Sequence, residues 1–118
     1  MEHIMIKDAL NDIFTELDGM RYNSSAWERV NRCQAYYQSV TLNNGEAIIV
    51  LKSYSTIVAF YHQVDREHAI VYERDYYSNT TCQHVRKFAQ KMRETYARQL
   101  HGDDYWNFAY RVRVDRLK

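Results

Sequence analysis

Cys33, Cys82, His62, His68, His84 and His101 are the side chains that could ligate a metal or serve a nucleophilic step, and their spacing supports neither role. A zinc framework rests on closely spaced cysteine and histidine pairs, such as C-x₂₋₄-C. The two cysteines stand far apart, and Cys82-Gln83-His84 is isolated. On a helix, positions i and i+2 point about 200° apart, so Cys82 and His84 form no local nucleophile–base dyad. There is no Gly-rich phosphate loop, no G-x-S-x-G, no H-E-x-x-H and no EF-hand loop. These residues therefore predict no catalytic residue, no metal and no cofactor: the chain reads as a non-enzyme.

Binding chemistry is better represented. In the segment 81–100, His84, Lys87, Lys91 and Arg98 fall within about 60° of helical arc, with Arg86 and Arg93 on one flank. Such a face suits phosphates or an acidic protein surface. The chain also carries 11 Tyr, more than a small core needs. Tyr36-Tyr37 and Tyr76-Tyr77 are adjacent, so in extended chain each pair sends one ring to each face of a sheet. Exposed Tyr is a recurrent anchor of protein interfaces and also stacks on single-stranded bases. Tyr54, Tyr76, Tyr77, His84, Lys87, Lys91 and Arg98 are thus the expected partner-binding surface. Asp8, Asp12 and Glu16 recur at i+4 and make an alternative acidic edge, suited to a basic groove.

The elements positioning these residues follow from periodicity. Hydrophobic residues make up 46% and charged residues 26%, with no Pro and three Gly, which predicts one globular domain over residues 1–118. The net charge of +1 excludes a uniformly basic nucleic-acid binder, although residues 1–18 are acidic and residues 84–118 basic. No leader-like apolar segment and no run of about 20 apolar residues is present, so a soluble protein with reduced cysteines is expected, without a membrane partner.

Ile6, Leu10, Ile13, Phe14 and Leu17 share one face and predict a helix over 6–17, closed by Gly19. Ser25-Ala26-Trp27-Glu28 spells a capping box and predicts a second helix over 26–34. AYYQSVTL, EAIIVLK, STIVAFYHQ and AIVYERD read as four strands, the first two joined at Asn43-Asn44-Gly45. Connections this short permit only antiparallel neighbours. Thr80-Thr81-Cys82-Gln83 resembles another capping box and opens a helix over 81–100, ended by His101-Gly102. Phe108, Tyr110, Val112 and Val114 alternate and suggest a final strand within 105–116, where a helix also fits. The expected fold is α+β: two N-terminal helices, an antiparallel sheet of four or five strands, and a long C-terminal helix packed on it.

LKSYSTIVAFYHQ (51–63) followed by YYSNTTCQHVRKFAQKM (76–92) resembles a recurrent pattern in small proteins of phages and mobile elements of Gram-positive bacteria. In that pattern a strand with Ser-Tyr-x-Thr-x-Val-Ala leads to Tyr-Tyr-Ser-x-Thr-Thr and a helix; it covers roughly 40% of the chain. The resemblance implies the cytoplasm of a bacterial host and a non-enzymatic inhibitor of anti-CRISPR type. Its partner would be a host protein, a CRISPR effector nuclease being the expected class. Nucleic acid, bound by helix 81–100 and exposed Tyr, is the alternative partner.

Overall fold

The structure is a computed structural model that describes residues 7–65, 68–75, 77–102 and 111–117. Among these residues two helices, α1 (Lys7–Gly19) and α2 (Asn79–His101), enclose a six-stranded sheet. Its strands are β1 (Glu28–Arg29), β2 (Ala35–Thr41), β3 (Ala47–Ser53), β4 (Thr56–Gln63), β5 (His68–Glu73) and β6 (Arg111–Arg116), paired in chain order.

Strand alternation explains why both faces are covered. Along β3, Ile48 and Val50 join Leu10, Phe14 and Leu17 of α1, while Ile49 and Leu51 join Val85, Phe88 and Met92 of α2. A sheet buried on both sides reads as continuous apolar sequence, as in AIIVL and TIVAFY. The β3–β4 register shifts between Leu51, opposite Ala59, and Lys52, opposite Ile57. Val58 is the extra residue of this bulge, and its carbonyl accepts the Arg74 amide at 2.9 Å.

The strands β2 to β5 form the expected antiparallel meander, and Gly45 takes the left-handed conformation (φ 89°) that its turn requires. The expected count and direction are corrected, however: the described residues form six strands, and β6 lies parallel to β5. The 23-residue α2 is long enough to serve as the crossover that parallel pairing needs. At the tail, Arg111–Arg116 is strand, while residues 105–110 lie outside the described residues.

The expected helix over 26–34 does not form. Both Ser25 donors, backbone N–H and hydroxyl, go to Asn23 Oδ1, which folds this segment into a local Asx-type turn in place of a helix start. Val30 is buried on the α2 face, Trp27 packs on the α1 face, and Asn31 adopts a left-handed φ of 50°. A segment with contacts on both faces of the sheet suits an edge strand. The start of α2 is also corrected: Ser78, not Thr80, is the N-cap, its Oγ accepting the Thr81 amide. Gly102 closes α2 as expected, its amide donating to the Arg98 carbonyl.

Candidate functional site

The β3–β4 turn, the β1–β2 loop and the first turns of α2 meet at one end of the sheet. Tyr54 and Ser55 form a two-residue turn between the paired Ser53 and Thr56. Tyr54 has a φ of 55°, a region that bulky side chains rarely enter, and it is 57% exposed. Its amide donates to the Gln34 carbonyl at 2.7 Å, which ties the turn to the neighbouring loop.

Beneath Tyr54 lies a buried polar network. Ser53 Oγ is 2.8 Å from His84 Nδ1 and 3.2 Å from Thr81 Oγ1, and Thr81 in turn contacts the N-cap Ser78. The Tyr54 and His84 rings are 5.7 Å apart and tilted. Burial, with Lys87 adding its positive charge, holds the His84 pKa below the ordinary histidine value, so the ring is neutral at pH 7. Ser53 and His84 are 3% and 5% exposed, which leaves a substrate no approach to this hydroxyl–imidazole pair. Its geometry is that of a strut between turn and helix.

His84 therefore does not share the open polar face expected for it. At 100° per residue it stands about 40° from Phe88, close enough to the apolar face for packing to take it in. Lys87 remains exposed, with Nζ donating to Cys33 Sγ at 3.6 Å. Lys91 is half-buried one turn on, and Arg98 is exposed farther along α2, as are Arg86 and Arg93. Tyr77 is half-buried against the α2-side core, its carbonyl accepting the Cys82 thiol, and burial raises its hydroxyl pKa. Tyr76 lies outside the described residues. Tyr54 and Lys87 thus come together at one end of the molecule, with Lys91 and Arg98 extending away from them.

The acidic edge is partly engaged. Glu16 accepts the Asn43 amide at 2.7 Å and so fastens α1 to the β2–β3 turn. Asp12 is exposed, and the Asp8 side chain is outside the described part. The adjacent Tyr36 and Tyr37 do send one ring to each face: Tyr36 lies near Lys52, and Tyr37 packs on Phe88 at 5.8 Å.

A feature missed in the sequence opens beside α1: a cavity of about 580 Å³ lined by Asp18, Tyr22, Trp27, Lys52, Thr56 and Arg74, among others. Lys52 Nζ sits 4.1 Å from the Trp27 ring centroid, and Arg74 makes a bidentate pair with Asp18 at 2.8 and 2.6 Å. The available signal was Lys52 itself, a cation in the otherwise apolar run AIIVLK. Among the described residues no group of three or more His, Cys, Asp or Glu could hold a metal, and no helix is long and apolar enough to cross a membrane.

A family model described as a family of unknown function, DUF8033, matches residues 18–106. No curated protein and no solved structure matches the chain.

Proposed function

The chain belongs to DUF8033, a family of unknown function, and for it we propose a non-enzymatic role: a phage-type inhibitor that binds a host defence protein. The partner class that we assign is a CRISPR effector nuclease, on the strength of the mobile-element pattern at 51–63 and 76–92. Tyr54 carries the binding part of this reading. A left-handed non-glycine residue costs about 1 kcal/mol or more, and such outliers cluster at functional positions. Glycine would build this turn at lower cost, whereas tyrosine adds a large, exposed ring on a rigid base. Lys87, Lys91 and Arg98 supply the flanking charge.

The second reading, a nucleic-acid-binding accessory protein, draws on the exposed cations of α2. Cleavage by a purified CRISPR effector nuclease, with and without the protein, separates the two when run beside a DNA mobility-shift titration at two salt concentrations. Tyr54→Gly relieves the backbone and deletes the ring, so it is expected to leave the fold intact while inhibition weakens at least about tenfold. Full inhibition by Tyr54→Gly would remove Tyr54 from the interface. Tight, salt-dependent DNA binding that Lys87/Lys91/Arg98→Ala weakens would favour the second reading. Loss of inhibition only on reversing Asp8, Asp12 and Glu16 to Lys, with unchanged melting, would move the contact to the acidic edge.

A further inference from the structure

Of the seven residues of β2, only Tyr36 and Tyr37 pair with β1. Among the described residues no strand lies beside the outer edge of Gln38–Thr41. The direction of its backbone groups follows from the strand's ends. The Ala35 carbonyl accepts the Val30 amide and so faces β1, while the Leu42 amide donates to Glu46 and so faces β3. Alternation then turns the N–H and C=O groups of Ser39 and Thr41 outward. Both residues are exposed.

Natural sheets blunt such an edge with a proline, a charged side chain, a bulge or a cover. β2 has no proline or charged residue, its ladder with β3 is unbroken from Ala35 to Thr41, and the loop before β1 meets it through the Asn23 carbonyl, which accepts Gln38 Nε2 at 3.2 Å while Ser39 and Thr41 stay exposed. Beside this edge, on the α2 face, lies a groove of about 250 Å³ whose lining includes Ser39, Ile49, Met92, Thr95 and Tyr96. Among the described residues Glu28 is its one charged lining residue. On the opposite face the Glu16 carboxylate is anchored at Asn43, two residues beyond Thr41, with exposed Asp12 one turn earlier on α1. Carboxylates therefore flank the edge on both faces.

We propose that the outer edge of β2 is a strand-addition site for an extended, cationic segment of a partner protein. The segment exchanges main-chain hydrogen bonds with Ser39 and Thr41, places an apolar side chain in the groove against Ile49 and Met92, and sets Lys or Arg near Glu28 and Glu16. Antiparallel edge-to-edge pairing with a second copy keeps like faces together and so brings matching carboxylate-bearing faces side by side, which favours a basic peptide over self-association. This surface is separate from the Tyr54 end and does not depend on its role.

The probe is an acetylated, amidated hexapeptide alternating lysine and valine, compared with one alternating glutamate and valine. NMR titration with amide hydrogen exchange should show slowed exchange at Ser39 and Thr41, and affinity at least about tenfold higher for the lysine peptide. Ser39→Pro removes an outward N–H while sparing the β3 ladder, and is expected to weaken binding at least about tenfold. Should that variant fail to fold, Thr95→Trp fills the groove from the helix and is expected to do the same. The proposal is overturned by no binding at millimolar lysine peptide, by equal affinity for both peptides, or by binding that leaves Ser39 and Thr41 exchange unchanged. Protection of those amides by dimerisation without peptide would assign the edge to a second copy and overturn it as well.

Discussion

Truncating Arg116 to methionine removes the charged clasp that holds β6 on the sheet. Arg116 Nε donates to Glu73 Oε1 at 2.6 Å, and the next amide, Leu117, donates to the Glu73 carbonyl at 2.8 Å. Glu73 is 2% exposed, so Arg116→Met leaves a carboxylate without its cation away from water. Breaking a buried pair in this way typically costs about 3–5 kcal/mol. Because the Arg116 side chain is 36% exposed, solvent screening lowers the expectation to about 2–3 kcal/mol. With a urea slope of about 2 kcal/mol per molar, the unfolding midpoint falls by about 1–1.5 M, a large share of a small domain's stability. The companion variant Glu73→Leu/Arg116→Met replaces the pair with apolar groups and should recover most of the loss, because the isolated charge is what costs. Urea denaturation of wild type, single and double variants measures this. An unchanged midpoint for Arg116→Met, or a double variant weaker than the single one, would refute the reasoning.

Phe88→Ala opens a cavity at a fully buried ring packed on Tyr37, and is expected to cost about 3–5 kcal/mol by denaturant titration. Gly45→Ala forces a side chain into φ 89° and should cost about 1 kcal/mol, read as a small downward shift in melting temperature. For His84 the folded pKa is lowered, so below the ordinary value of 6.5 the unfolded chain binds a proton that the folded chain refuses. Stability from this group is level above pH 7 and falls as the pH drops through 6.5; a His84→Gln variant should lose that part of the acid limb in a pH series of urea unfolding, and an identical limb would contradict it.

Much of the frame was legible in the residues. The 3.6-residue spacing of Leu10, Phe14 and Leu17, and of Val85, Phe88 and Met92, marks helices whose apolar stripes do face the sheet. The short connections of 35–73 specify the meander, and Gly45 and Gly102 mark ends where left-handed backbone is needed. These are local signals, set by steric limits and by which face must leave water. Glu28–Arg29 carried a competing local signal, a capping box, that lost to contacts made with distant segments: Val30 beneath α2, Trp27 beneath Lys52. The candidate site was legible in composition but not in arrangement. Tyr54 and Lys87 could be singled out as candidates by residue type, yet their convergence depends on Gln34, Cys33 and Ser53, which arrive from other elements. Periodicity put His84 on the basic face, but only about 40° of arc from Phe88, and its hydrogen bond to Ser53 drew it into the interior instead. The parallel placement of β6, the acidic flanks of β2 and its edge, unpaired among the described residues, likewise arise only when the sheet assembles, because strand neighbours far apart in the chain are selected by packing over the whole fold and not by any local pattern.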